Sequence, residues 1–162
     1  MNVKEPTDRI PDVVVSRLGA DGMPAAVSTG DILSTGKVVL FAVPGAFTPG
    51  CSKLHLPGFI EQAGDLRARG VDTIACISVN DAWVMQAWAD AHGVGDEIIM
   101  LADGSGQFAR EMGLEMDGSA FGLGTRSKRY AAVLQDGVIQ SLDVDDDGGV
   151  DVSSCNAVLG KL

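Results

Sequence analysis

Short, continuously apolar segments recur along the chain from residue 37 onward. Segments of this kind, rich in β-branched residues and bounded by turn residues, are typical of strands that are buried on both faces of a sheet. The predicted strands are 37–43, 72–79, 98–102, 130–135 and 138–142. The last two flank Asp136-Gly137, a dipeptide that strongly favours a two-residue β-hairpin turn.

Apolar residues recur at helical spacing between these strands. The clearest helix follows the second strand, where Asn80 or Asp81 caps it and Gly93 ends it. Trp83 and Trp88 lie on its predicted apolar face. Other helices are predicted within 56–66, with a kink or a late start at Pro57, at 107–112 and at 153–159. This alternation predicts an α/β fold with a mixed central sheet and helices on both faces.

Length and charge narrow the classes of protein that fit. A chain of 162 residues is predicted to form one domain, 1–162. Twelve Lys and Arg against 22 Asp and Glu give a net charge of −10. Such a charge repels phosphate backbones and anionic lipids, so neither nucleic acid nor a membrane surface is expected as a partner.

The sequence also bears on location. No apolar segment approaches the roughly 20 residues of a membrane span, and residues 1–11 lack the apolar stretch of a secretion signal. The three cysteines are an odd number without the spacing of a disulfide framework, which indicates a reducing compartment. A cytoplasmic protein is expected.

The loop after the first predicted strand carries the most informative chemistry. It contains prolines and glycines that shape the backbone, and Cys51 then opens the next helix. Unpaired N–H groups at a helix N-terminus favour an anion, so they stabilise a thiolate there. Thr48, three residues earlier, supplies a hydroxyl that can hydrogen-bond the sulfur or an oxygen beside it. The segment predicts a reactive thiol, and the alternative is an inert, buried core cysteine.

The segment PGAFTPGCSKLHLPGF, residues 44–59, resembles the active-site segment of the peroxiredoxins, in the subfamily of peroxiredoxin-5 and the plant type II enzymes. The family pattern Pro-x3-Thr-x2-Cys is met by Pro44, Thr48 and Cys51. Residues 72–93 and 126–137 are similar to later segments of that subfamily, so the resemblance runs from about Val38 to the C-terminus. It implies a thioredoxin-like fold and a thiol peroxidase.

The resemblance also implies roles for individual residues. Cys51 is then the peroxidatic cysteine, which is oxidised to a sulfenic acid as it reduces hydrogen peroxide or an organic hydroperoxide. Thr48 orients the peroxide, and Pro44 shields the sulfur. Arg126 holds the thiolate and stabilises charge on the breaking O–O bond. Arg129 competes with Arg126 for this role, since residues three apart on a strand point to opposite faces; alignment with the family favours Arg126.

How the sulfenic acid is reduced is left open by the sequence. Cys155 and Cys76 are possible resolving cysteines, although Cys76 lies within a predicted strand and reads better as a core thiol. The preferred interpretation is a one-cysteine cycle, in which glutathione, glutaredoxin or thioredoxin reduces Cys51. The resemblance also implies a homodimer and needs no metal or organic cofactor.

Three further residues have weaker predicted roles. His55 lies four residues after Cys51, so on a helix the two share a face. It could act as the base of a cysteine hydrolase or transferase, or more simply pack behind the site. Phe47 and Phe121 are loop residues that line the pocket or the dimer contact in the family, with ordinary loop packing as the alternative. A peroxide-responsive redox sensor that acts through a partner protein is the rival function.

Overall fold

A computed structural model describes residues 2–162. Its main sheet has seven strands in the order β2-β1-β5-β4-β3-β8-β9, and β6 and β7 pair separately. The strands are β1 (Val14–Leu18), β2 (Pro24–Ser28), β3 (Lys37–Val43), β4 (Thr73–Ser78), β5 (Ile99–Ala102), β6 (Glu115–Asp117), β7 (Thr125–Ser127), β8 (Arg129–Gln135) and β9 (Val138–Asp145). Strands β3, β4 and β5 are parallel, whereas β1, β2, β8 and β9 run antiparallel to their neighbours. The predicted mixed sheet is confirmed.

Helices cover both faces of this sheet. They are α1 (Thr29–Leu33), a π-helix (Cys51–His55), α2 (Leu56–Glu61), α3 (Ala63–Ala68), α4 (Ala82–Ala91), α5 (Gln107–Met112), a 3-10 turn (Ser119–Phe121) and α6 (Cys155–Leu159). Two apolar clusters, one on each face, share strand β3, which is buried from Val38 to Val43. Its alternate residues divide between them, with Val39, Phe41 and Val43 in one and Val38, Leu40 and Ala42 in the other. This double burial explains the continuous apolar segment in the sequence.

Local signals in the sequence are well matched by the structure. All five predicted strands form, and both residues of the β8–β9 turn, Asp136 and Gly137, have positive φ of 50° and 82°. That is the conformation that a two-residue hairpin turn requires. The Asp81 side chain accepts a hydrogen bond from Val84 N at 2.8 Å and caps α4. Ser154 caps α6 in the same way.

Several features differ from the prediction. The antiparallel pairs β1–β2 and β6–β7 and the helix α1 were not predicted. The helix expected within 56–66 breaks at Gln62, not at Pro57, because Pro57 lies in the first turn of α2, where its missing N–H costs nothing. Trp83 is half exposed, and its indole N–H donates to Gly22 O at 2.9 Å. Within residues 2–162, no helix is long and apolar enough to cross a membrane.

Candidate active site

Cys51 begins the π-helix at the carboxyl end of β3, and its side chain is fully buried. The loop between them folds back on itself through Thr48. The Thr48 hydroxyl donates to Gly45 O at 2.6 Å, and the Thr48 carbonyl accepts from Ser52 N at 2.9 Å. Asn80, expected as a possible helix cap, instead accepts a hydrogen bond from Ala46 N through its side-chain oxygen at 3.0 Å. The backbone around the sulfur is thus fixed from both sides.

The arginine at the sulfur is Arg129. Its Nη2 donates to Cys51 Sγ at 3.2 Å, and the side chain is only 4% exposed. Arg129 opens β8 one residue beyond the Ala42–Tyr130 pair, which sets it beside the carboxyl end of β3. Gly50 allows this approach, because a Cβ at that position would lie 3.1 Å from Arg129 Nη2. The hydrogen bond sets a fixed positive charge against the sulfur, and such a charge favours the thiolate.

The prediction that Arg126 fills this role is therefore wrong. Arg126 belongs to β7, which pairs with β6 and not with the central sheet. Its Nη1 donates to Pro44 O at 3.2 Å and its Nε to Leu123 O at 3.0 Å. The prediction from spacing assumed one continuous strand, but Lys128 separates β7 from β8, so the choice between the two arginines depends on sheet pairing. The sequence did contain a usable signal. If the strand that ends at the Asp136-Gly137 turn is as long as β3, which has seven residues, it begins at Arg129.

His55 contacts the arginine and not the sulfur. Its Nδ1 lies 2.9 Å from Arg129 Nη1, and its Nε2 lies 2.9 Å from Ser153 O. Because a guanidinium only donates, Nδ1 accepts, so the ring proton is on Nε2 and is donated to Ser153 O. Burial, aided by the charge of Arg129, lowers the pKa of His55 to about 4. A neutral histidine that accepts from Arg129 is not a base for Cys51, which removes the hydrolase or transferase alternative.

The other two cysteines are buried free thiols. Cys76 lies in β4 opposite Phe41, and burial raises its pKa well above the ordinary value. Cys155 is 2% exposed at the start of α6, where burial and the charge of Asp65 raise its pKa to about 12. Both are therefore protonated, weakly nucleophilic thiols at neutral pH.

The remaining predicted residues lie in two loops joined by Arg126. Pro44 is half buried, while Phe47 and Phe121 are 55% and 86% exposed. Phe47 also has a positive φ of 66°, which is unusual for an aromatic residue. In residues 2–162, the structure has no group of three or more His, Cys, Asp or Glu side chains that could hold a metal ion. The site thus consists of a thiol, a cation, a hydroxyl and a neutral histidine.

Comparison with known proteins places this site in a family. Residues 5–159 match the Redoxin family model. The chain is 48% identical over 159 residues to Peroxiredoxin-2E-2, chloroplastic, of Oryza sativa subsp. japonica, covering 96% of this chain and 71% of that protein. It superposes on a putative thioredoxin reductase from Burkholderia cenocepacia with a TM-score of 0.95, at 41% identity over 99% of each chain. Reduced Prx3 in complex with H2O2 from Vibrio vulnificus gives a TM-score of 0.92, at 43% identity over 98% of this chain and 99% of the other.

The chain belongs to the redoxin family and has the thioredoxin-like fold that its sequence predicts. Within that family it is a type II peroxiredoxin, a thiol peroxidase of the oxidoreductase class.

Proposed function

We propose that Cys51 is the peroxidatic residue, and that Arg129 is the cation that activates it. The observation that carries this proposal is the 3.2 Å hydrogen bond from Arg129 Nη2 to the buried Sγ. A charge-assisted donor in a water-poor site stabilises a thiolate far more than the same donor would in water. Among residues 2–162, neither Cys76 nor Cys155 has a comparable donor, and burial raises the pKa of both.

The reaction is a displacement at oxygen. The Cys51 thiolate attacks one peroxide oxygen, a sulfur–oxygen bond forms, and the O–O bond breaks. The leaving oxygen departs as hydroxide, or as alkoxide from an organic hydroperoxide, and takes a proton from water. The sulfur is oxidised to a sulfenic acid as the peroxide is reduced.

Two groups are available to orient the peroxide. The Thr48 hydroxyl commits its proton to Gly45 O, so its lone pairs remain to accept a hydrogen bond from the peroxide O–H. Arg129 Nε is buried and has no hydrogen-bond partner among residues 2–162. It can donate to the oxygen on which negative charge develops, which is the role of an oxyanion-type donor.

A one-cysteine cycle fits the other thiols. A resolving cysteine must ionise and reach Cys51, but Cys76 and Cys155 are buried and protonated. We therefore propose that an external thiol, from glutathione, glutaredoxin or thioredoxin, attacks the sulfenic sulfur and displaces hydroxide. The mixed disulfide is then reduced by a second thiol. Because Cys51 is fully buried, the π-helix at Cys51–His55 must open for this step, and such helices are rare and less favourable than α-helices.

We also propose that the protein forms a homodimer. Phe47 and Phe121 are both exposed, and their segments are linked by hydrogen bonds from Arg126 to Pro44 O and Leu123 O, so each offers an aromatic side chain for contact with a second copy of the chain. The sedimentation velocity of the wild type and of Phe121→Ser tests this proposal: a monomeric wild type would rule it out. A cytoplasmic location, proposed on the three free thiols, is tested by cell fractionation.

The decisive experiment is the intact mass of the reduced protein after one equivalent of hydrogen peroxide, with and without glutathione. A gain of one oxygen that glutathione replaces with its own adduct, absent from Cys51→Ser, supports the one-cysteine cycle. A loss of two hydrogens reveals an internal disulfide and makes Cys155 or Cys76 the resolving thiol. If the mass at Cys51 does not change rapidly, the assignment of Cys51 as the peroxidatic residue is contradicted. Stopped-flow turnover separates the peroxidase from a redox sensor, which would react once without cycling.

A further inference from the structure

The Arg129 guanidinium is held by few partners. Nη2 donates to Cys51 Sγ and Nη1 to His55 Nδ1, while Nε has no partner among residues 2–162. One of its two side-chain partners is thus the reacting sulfur, which loses its negative charge when it is oxidised. His55 is the partner whose acceptor atom is not changed chemically when Cys51 is oxidised.

His55 is itself held by the segment that follows β9. Its Nε2–H donates to Ser153 O at 2.9 Å. The backbone N–H of Ser153 donates to Asp145 Oδ2 at 3.0 Å, and the Ser153 hydroxyl donates to the same oxygen at 2.6 Å. Asp145 also accepts from the backbone N–H groups of Asp151 and Val152, so one carboxylate fixes the whole turn.

Packing fixes the plane of the imidazole as well. The rings of Phe41 and Phe59 stack on each other, and both lie against His55, with centroids 5.1 Å and 5.6 Å from it. The histidine is 1% exposed. With ring plane and proton position both set, its Nδ1 lone pair points in one direction only, toward the guanidinium.

We propose that His55 is a positioning residue for the peroxidase reaction: its Nδ1 holds Arg129 against Cys51 Sγ, and the turn anchored by Asp145 holds His55. This inference rests on the proposed role of Cys51. The sequence Asp145–Ser153–His55–Arg129–Cys51 is a continuous set of hydrogen bonds from the end of β9 to the sulfur. It goes beyond a packing role, because it requires a hydrogen-bond acceptor at the position of Nδ1.

A matched pair of substitutions tests the two ring nitrogens of His55 separately, Nδ1 with its contact to Arg129 and Nε2 with its contact to Ser153. In His55→Asn, the amide oxygen takes the place of Nδ1 and can accept from Arg129, but the contact to Ser153 is lost. In His55→Gln, the amide nitrogen takes the place of Nε2 and can donate to Ser153 O, but Arg129 loses its acceptor. The proposal predicts that Asn rescues the site and that Gln does not. A role limited to tethering residue 153 predicts the reverse.

The primary readout is the rate of Cys51 alkylation by iodoacetamide between pH 5 and 8, with Cys51→Ser as the background. Alkylation needs no peroxide, so it tests the positioning of Arg129 even if the peroxidase assignment fails. The guanidinium charge at the sulfur favours the thiolate, which is the form that is alkylated, so His55→Gln should be alkylated about tenfold more slowly than wild type at pH 6. His55→Asn should stay within about threefold of wild type on the same grounds.

The second readout is kcat/KM for hydrogen peroxide, which should follow the same order, wild type, then Asn, then Gln. Equal rates for the two variants, or a slower Asn variant, would overturn the proposal. If His55→Gln fails to fold by circular dichroism, Asp145→Asn tests the same set of hydrogen bonds from its other end. That variant should slow alkylation about threefold, and a wild-type rate in it would overturn the proposal.

Discussion

Replacing each of the two arginines in turn tests the assignment on which the site depends. Arg129 donates to Cys51 Sγ, whereas Arg126 donates to Pro44 O and Leu123 O. The variants are Arg129→Met, Arg129→Lys and, as the matched control, Arg126→Met. Only the substitutions at Arg129 remove or misplace the donor that faces the sulfur.

The magnitude follows from the geometry. Two unit charges separated by the observed 3.2 Å attract by about 5 kcal/mol at an effective dielectric constant of about 20, which gives the scale of the interaction. Removing one preorganised donor from a developing charge costs roughly 3–4 kcal/mol in other enzymes, or 10²- to 10³-fold in rate. Arg129→Met should therefore lower kcat/KM for hydrogen peroxide by about 10²- to 10³-fold. Arg129→Lys should lie in between, because lysine keeps the charge but lacks the fork that spans Cys51 and His55.

The assay is stopped-flow reaction of the reduced protein with hydrogen peroxide, after urea unfolding has shown that each variant is folded. Arg126→Met should lose no more than about threefold, as expected for a residue that tethers a loop. A loss of 10²-fold in Arg126→Met together with near-normal rates in both Arg129 variants would refute the assignment. Equal losses at both positions would show that loop closure, and not the charge at the sulfur, controls the rate.

Four further predictions can be tested independently. Because the pKa of His55 is lowered from 6.5 to about 4, the unfolded chain binds more protons than the folded chain between these pH values. The free energy of unfolding should therefore fall by about 3 kcal/mol as the pH drops from 6.5 to 4. Urea unfolding of His55→Asn should lack this contribution to the pH dependence of stability. Gly137→Ala should destabilise the protein by about 1–2 kcal/mol in thermal unfolding, since φ is +82° and the new Cβ would lie 2.9 Å from Arg9. Its control, Gly64→Ala, lies in helix α3 with open space around the new Cβ and should stabilise the protein by about 0.5–1 kcal/mol. Cys155→Ala should keep glutathione-dependent turnover within about twofold of wild type in a coupled assay, and a complete loss would make it the resolving thiol. Finally, the net charge of −10 should slow the anionic glutathione but not neutral hydrogen peroxide, so added salt should accelerate only the reductive step in stopped-flow measurements.

The parts of the fold that could be predicted are those whose causes are local. Strand β3 is buried on both faces, and its apolar residues therefore form an unbroken segment. The β8–β9 turn needs two residues with positive φ, and Asp136-Gly137 supplies them. Strand β2 carries no such pattern, because it lies at the edge of the sheet and its first three residues are exposed. An edge strand has few buried positions, so its sequence need not show a recognisable apolar pattern.

Some residues of the candidate site could also be predicted from local sequence, and others depend on contacts between distant parts of the chain. Thr48 and Cys51 lie on one short loop, so their spacing alone brings them together. Arg129 reaches the sulfur only through the pairing of β8 with β3, a contact across 78 residues that no local pattern encodes. The Ser153 carbonyl was missed for a different reason: it is a backbone group, and its position depends on the turn that Asp145 organises and not on a distinctive side chain.

The acidity of the chain is compatible with the proposed thiolate at its centre, because the net charge and Arg129 act over different distances. A net charge of −10 produces a field that salt screens within about 10 Å at ordinary ionic strength. Arg129 acts on Cys51 at 3.2 Å, inside a region where both side chains are nearly inaccessible to solvent, so its attraction is weakly screened. The neutral state of His55 matters here, because a protonated imidazole could not accept from Arg129 and would place a second buried cation beside it. The proposed site thus pairs one thiolate with one buried cation, and the acidic surface does not repel a neutral peroxide that approaches it.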